Sequence, residues 1–193
     1  MPPNRSQPDL FDTAPAHDPG GRVRTALPPD VRGDAEFSPC GRYRPMLRRW
    51  TGDAFPERYA LFVGMNPSTA SAEANDPTVA REWQFTVREG FNGYAKANVG
   101  DYRATFPKDL KDVEVSSPLN LPAIRRASRR SIAGLVVVCH GVLNRYLREA
   151  GELVVETLRA DGIEMWCFGT TSDGSPRHPL YLAKDTPLVR YRP

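Results

Sequence analysis

Four short runs along the chain are rich in apolar residues: 59–65 (Tyr-Ala-Leu-Phe-Val-Gly-Met), 94–99 (Tyr-Ala-Lys-Ala-Asn-Val), 134–139 (Gly-Leu-Val-Val-Val-Cys) and 163–168 (Ile-Glu-Met-Trp-Cys-Phe). Their length and composition predict buried strands, and the third, the most uniformly apolar, reads as the central one. Between them the apolar spacing becomes helical. Residues 77–89 open with Asp76 as N-cap and Pro77 at the first helical position, then bring Val79, Trp83 and Val87 to one face at four-residue spacing. Residues 122–132 and 143–160 supply two more helices, the latter with Leu143, Leu147, Val154, Val155 and Leu158 to cover a sheet. Alternating strands and helices predict a three-layer α/β/α sandwich with a mainly parallel, four-stranded central sheet. In such sheets ligands bind outside the carboxyl ends of the strands.

Residues 1–36 lack either period and are rich in Pro, Gly, Asp and Arg, so they predict a disordered tail ahead of a folded domain at 37–193. At the start of that domain, Cys40-Gly41-Arg42-Tyr43-Arg44 reads as a turn leading into an edge strand. With 193 residues, 40% hydrophobic and 25% charged, the chain has room for one core plus the tail. A net charge of +3 permits contact with a polyanion without requiring it. The three cysteines, Cys40, Cys139 and Cys167, form no CxxC pair, which points to reduced thiols and to neither a disulfide framework nor a metal site. No signal segment or membrane-spanning run is legible, so the expectation is a cytoplasmic protein that needs no cofactor.

Two turn-rich loops carry the candidate chemistry. The first predicted strand ends in Gly64-Met65-Asn66-Pro67-Ser68-Thr69. A glycine that lets a ligand approach the backbone, an amide with donor and acceptor, and a proline that fixes the turn make a rigid polar loop. A plain Asn-Pro turn is the alternative. After the last predicted strand, His178 stands between Arg177 and Pro179, facing the Asn66 loop across the expected crevice, unless it is a structural histidine. Asp76 reads first as a helix cap, whereas Arg103 is equally suited to bind phosphate or to pair with Asp76.

Gly64-Met65-Asn66-Pro67 resembles the first motif of the uracil-DNA glycosylase superfamily in its Asn-bearing branch, and His178-Pro179 resembles its second motif. The sequence from 38 to 189 also resembles the bacterial and phage domain-of-unknown-function 1643 family, through the segments 64–70, 75–78, 102–105 and 176–182. The glycosylase resemblance implies that Asn66 orients a water at C1′ of a flipped nucleotide and that His178 hydrogen-bonds the pyrimidine O2 as charge develops there. It implies substrate contacts from Gly64, Met65, Pro67, Ser68, Thr69 and Pro179, to which Asp76 and Arg103 are added as candidates from their own positions. Leu180 and Tyr181 take the place of the apolar wedge that supports the flipped-out site, with Leu180 where relatives carry a small polar residue. Strictly uracil-specific enzymes place a tyrosine where this chain has Ser68 and Thr69, so a pocket that accepts thymine or 5-substituted uracil is expected.

Two arginine groups are candidates for DNA phosphate: Arg42, Arg44, Arg48 and Arg49, and the set Arg125, Arg126, Arg129 and Arg130 on one side of the second helix, where a plain solvated face is the alternative. In the tail, Gln7-Pro8-Asp9-Leu10-Phe11 resembles the pentapeptide by which bacterial replication and repair proteins bind the sliding clamp, with Gln7, Leu10 and Phe11 as its anchors. Together these features point to an enzyme on a pyrimidine base in DNA, by glycosidic hydrolysis or by transfer onto a 5-substituted thymine. A non-catalytic modified-base binder and an enzyme on free nucleotides are the competing classes.

Overall fold

The computed structural model describes residues 24–130 and 134–193. In chain order the elements are β1 (Thr25–Ala26), β2 (Val31–Glu36), β3 (Met46–Thr51), β4 (Ala60–Gly64), β5 (Ala74–Asn75), α1 (Pro77–Arg88), β6 (Gly93–Asn98), α2 (Asn120–Arg130), β7 (Leu135–Val138), α3 (Arg148–Ala160), β8 (Trp166–Cys167) and β9 (Val189–Arg190). Short 3₁₀ turns occupy Pro107–Leu110 and Pro179–Tyr181.

Successive side chains on a strand point to opposite faces, and here the two sets enter two separate apolar clusters. Leu61, Val63, Ala95, Ala97, Val136 and Val138 meet Ala123, Ile124 and Ala127 of α2 and Val154, Val155 and Leu158 of α3. Ala60, Phe62, Tyr94 and Val137 meet Val79, Trp83 and Phe85 of α1, together with Phe168 and Leu182. Helices therefore cover both faces of the sheet. Val87 is 55% exposed, not part of the α1 face. Each four-residue step rotates a side chain by about 40°, so Val87 has turned off the face that Val79 defines. Glu82 and Thr86, on the opposite flank of Val79, are buried instead.

The protein is α/β, but its sheet has seven strands in the order β2-β3-β6-β4-β7-β8-β9 and is mixed. β4 runs parallel to β6 and β7, and β7 parallel to β8, while β2–β3, β3–β6 and β8–β9 are antiparallel. A mainly parallel four-stranded sheet is thus corrected: all four expected strands are present, with antiparallel strands added at both ends. β2 lies within the segment expected to be disordered, so the sheet begins before residue 37. The Cys40–Arg44 turn, in which Tyr43 makes an isolated bridge to Tyr102, leads into a strand as expected, but that strand, β3, is interior and not at the edge. Among the described residues, no helix is long and apolar enough to cross a membrane.

Around β4 the connections diverge. The chain leaving β4 passes through α1 on one face, whereas those leaving β6 and β7 pass through α2 and α3 on the other. In open α/β sheets ligands bind at such a divergence, outside the carboxyl ends of the strands, here β4 and β7.

Candidate functional site

The loop after β4 is built onto the loop after β6. Gly100 N–H donates to the Met65 carbonyl at 3.2 Å and Ala104 N–H to the Pro67 carbonyl at 2.8 Å, while Ser68 Oγ and Thr105 Oγ1 share a hydrogen bond of 2.8 Å. Pro67 and Thr69 are buried. Asn66 Nδ2 donates to the carbonyls of Ala104 at 2.7 Å and Pro67 at 3.2 Å. With both amide hydrogens anchored, Asn66 Oδ1 is held in one direction and has no partner among the described residues. An amide fixed this way presents a preorganised acceptor.

The second loop is fixed to the end of β7. Gly141 N–H donates to the Pro176 carbonyl at 2.9 Å, and Arg177 N–H to the Gly169 carbonyl at 3.0 Å. Gly141 has φ 72°, and a Cβ there would lie 3.1 Å from His178 Cβ, so both backbone conformation and space call for glycine. Pro179 is buried in a turn packed on α1, Leu180 is half-buried, and Tyr181 is 88% exposed. His178 Nδ1 accepts a long hydrogen bond from Leu180 N–H at 3.4 Å. That contact leaves the ring proton on Nε2, a donor free to meet a ligand. Burial first, and then the charge of Lys96, hold the imidazole below its ordinary range and hence neutral.

Between the loops lies a group of buried polar side chains. Lys96 Nζ donates to both carboxylate oxygens of Glu82, at 2.6 and 2.7 Å, and Glu82 also accepts from Tyr94 OH and, at 3.5 Å, from the Cys139 thiol. Burial and the neighbouring Glu82 charge push both the Tyr94 hydroxyl and the Cys139 thiol well above their ordinary values. At the end of β6, Asn98 is 1% exposed, and neither its Nδ2 nor its Oδ1 has a hydrogen-bond partner. A Cβ on Gly64 would lie 2.8 Å from Asn98 Oδ1 and 2.8 Å from Lys96 Nζ. The first motif thus borders Lys96 directly, and His178 feels the same ammonium electrostatically. Glu82, Lys96 and Asn98 escaped sequence reasoning. The legible signal was a Lys and an Asn two apart inside an apolar strand, which places both on the face toward α1.

Residues 42–180 match the model of a protein family of unknown function, DUF1643. The chain belongs to that family. No curated protein and no solved structure matches it. The DUF1643 span contains both loops and the whole buried group, from Arg44 to Leu180.

Other expected contacts are placed differently. Asp76 is the N-cap of α1, accepting from Val79 N–H at 2.8 Å. Its charge acts on Arg44 and Arg49; Arg44 is fully buried, burial lowers it to about 10, and its Nε and Nη2 lack partners. Arg103 donates to the Gly41 carbonyl at 2.8 Å and stacks on Phe37. Arg44 and Arg49 are buried under residues 70–75, and Arg48 pairs with Asp34 and Glu36, so of that group Arg42 alone faces solvent. On α2, Arg125 and Arg129 share Asp161 and Arg126 approaches Glu36. That end of α2 sits beside Tyr59, whose hydroxyl donates to the Ala127 carbonyl, at the opposite edge of the sheet from Asn66. Gln7, Leu10 and Phe11 lie outside the described residues. Among the described residues no group of three or more His, Cys, Asp or Glu side chains is arranged to hold a metal.

A separate cavity of about 470 Å³ opens on the α3 side of the Gly141 loop, lined by His140, Arg148, Glu152, Asp173 and Tyr191 among others. His140 Nδ1–H donates to the Gly141 carbonyl at 2.6 Å, which makes Nε2 an acceptor, and burial lowers its pKa.

Proposed function

We propose that the crevice takes up a flipped pyrimidine base of DNA and hydrolyses its glycosidic bond. The observation that carries this reading is Asn98: a buried amide with an unmatched donor and an unmatched acceptor, beside Gly64 of the first motif. Leaving both groups unpaired in a core is costly, and a pyrimidine edge offers the complementary N–H and C=O. The run β6-β4-β7-β8, with helices against both faces, supports a uracil-DNA-glycosylase-like three-layer core inside the larger sheet.

In this reading Asn66 Oδ1 orients a water at C1′. The water oxygen bonds to C1′, its proton passes to solvent, and the N1–C1′ bond breaks with its electron pair leaving on the base. His178 Nε2–H donates to O2, where that negative charge collects, and a neutral donor already in place adds no reorganisation at that moment. Ser68, tied to Thr105, leaves room beside C5 for a substituent. Exposed Tyr181, next to the site, supports the gap left in the strand. The peptide around Gln7, Leu10 and Phe11 would recruit the enzyme to a sliding clamp on cytoplasmic DNA.

The cavity beside His140 favours a second reading, a transferase that modifies a 5-substituted thymine, with that cavity as the co-substrate site. Incubation with single- and double-stranded DNA containing uracil, mismatched thymine or 5-hydroxymethyluracil, then alkali cleavage and nucleoside mass spectrometry, separates the two. Abasic sites that disappear with Asn66→Ala establish hydrolysis; intact bases despite salt-sensitive binding refute it and leave the transferase or a non-catalytic binder.

A further inference from the structure

Among the described residues three aromatic side chains are exposed, Phe37 at 40%, Phe106 at 51% and Tyr181 at 88%, and all three stand at the carboxyl end of the central strands. Tyr181 lies in the turn that begins at His178. Phe106 comes directly after Ala104, whose carbonyl anchors Asn66 Nδ2, and Thr105, whose hydroxyl bonds Ser68. Its Cα is therefore within about 8 Å of that of Ala104. Phe37 is placed by strand register. Glu36 stands opposite Met46 and Leu47 opposite Lys96, so the residue after β2 emerges beside the carboxyl end of β6. The other large apolar side chains that reach solvent are all aliphatic. A lone exposed apolar residue is ordinary, but three rings gathered around one site mark a contact surface.

Each phenylalanine also carries a cation: the Arg103 guanidinium lies 5.0 Å from the centre of the Phe37 ring, and Lys108 Nζ 5.7 Å from that of Phe106. Arg103 N–H donates to the Arg42 carbonyl at 2.9 Å, which brings exposed Arg42 to the same surface. The acids of this loop are Asp109, Asp112 and Glu114. Asp109 accepts from Phe106 N–H at 3.3 Å and Asp112 pairs with Lys111 at 3.7 Å, so Glu114 alone is set against Arg42, Arg103 and Lys108. We propose that Phe37 and Phe106, with these three cations, form a stacking platform for the unpaired nucleotides that flank the flipped base, so that the protein takes its DNA as a single strand. The inference rests on the reading of the crevice as a site for a DNA base, and it names the strand form and the residues that select it. Alternating rings and cations suit a single strand because bases stack on the rings while the cations follow the phosphates. In a duplex the base faces are already covered by their neighbours.

The test is binding of the full chain to a fluorescein-labelled single strand about a dozen nucleotides long, made of ordinary bases without uracil, so that no hydrolysis is required. Phe37→Ala and Phe106→Ala should each weaken binding by about 5- to 100-fold, and Phe106→Trp should restore it. The two alanine variants should leave the dependence of affinity on salt unchanged, whereas Lys108→Gln should lower the slope of log K against log salt by about 0.7, one phosphate contact on a single strand. A duplex of the same sequence should bind more weakly and be indifferent to Phe106→Ala. Single-strand affinity unchanged in both alanine variants, an equal loss with the duplex, or no single-strand binding by the wild-type protein at low salt overturns the inference. Unfolding midpoints in urea that match the wild type show that a loss comes from the surface and not from the fold. Abasic-site formation is scored separately: its absence despite phenylalanine-dependent binding sinks the hydrolase reading alone, and its presence in uracil-containing duplex, with binding indifferent to both phenylalanines, sinks this inference alone.

Discussion

Two regions of the molecule carry dense charge, and they could hardly be more differently arranged. On α2, four arginines face outward; Arg125 and Arg129 share one carboxylate and Arg126 approaches another, with side chains 44–61% exposed. At the carboxyl ends of β4, β6 and β7 the polar groups are buried, some satisfied to excess, as Glu82 is, one only in part, as Arg44 is, and one not at all, the Asn98 amide. Exposed pairs contribute little to stability and are easily rearranged. Buried, unmatched groups are expensive, and each one that a protein retains calls for an explanation, which the reading proposed above supplies as a ligand. Charge that can be counted is therefore the poorer guide to the site, and hydrogen-bonding capacity left unused is the better one.

The comparison breaks if the two regions respond alike to substitution. The largest difference should be in catalysis. Removing one preorganised donor costs about 10²–10³ in rate, so His178→Gln should lose that much base release, whereas Arg126→Ser/Arg130→Ser should change single-turnover rates by less than about threefold, the effect of a remote phosphate contact at most. Equal losses would return α2 to the DNA interface. Stability comes next. Lys96→Met alone strands Glu82 and should cost about 3–5 kcal/mol in urea unfolding, most of it recovered when Glu82→Gln is added. A cost below about 1 kcal/mol would show water reaching the pair. Asn98→Leu should do the reverse of a usual core change. Replacing an unmatched amide with an apolar group of similar shape should leave stability unchanged or raise it by about 1 kcal/mol while abolishing base binding. A marked loss of stability would mean that Asn98 has a partner in the free protein.

The same contrast explains what the amino-acid sequence disclosed. β4, β6 and β7 were legible because strands buried on both faces need near-continuous apolar runs. β2, Val-Arg-Gly-Asp-Ala-Glu, has no such run; it is an edge strand whose Asp34 and Glu36 pair with Arg48 across the ladder, and its pattern is that of a solvated segment. β3 carries Arg48 and Arg49, read as phosphate contacts because a string of letters shows charge but not burial. Asn66 and His178 stood out since each sits beside a proline in a turn at a strand end. Glu82, Lys96 and Asn98 were hidden by their apolar neighbours. A single polar residue in such a run is ambiguous until the partner 14 residues away, for Lys96 and Glu82, is seen in contact.

The mildest expected effect is the dependence of stability on pH, and it separates the two regions by where on the scale they act. His140 and His178 are held neutral, with folded pKa values below the ordinary 6.5. The unfolded chain therefore takes up protons first as pH falls. Their contribution is full above about 6.5 and declines below it, with a slope of at most about 1.4 kcal/mol per pH unit for each ring until the folded protein protonates too. Asp161 has the same sign at a lower pH: its arginine partners, Arg125 foremost, lower it from 3.8 to about 2, so its stabilisation is present above 3.8 and fades as pH falls toward 2. Urea midpoints measured from pH 8 to 3 should thus show a first decline starting near 6.5 that His178→Gln reduces and Asp161→Asn leaves alone. Asp161→Asn should alter only the acid end, and only at low ionic strength, since salt screens exposed partners but not buried ones. If Asp161→Asn moved the first decline, or if that decline were missing from the wild-type curve, His140 and His178 would not be the neutral, desolvated groups that distinguish this end of the sheet from the other.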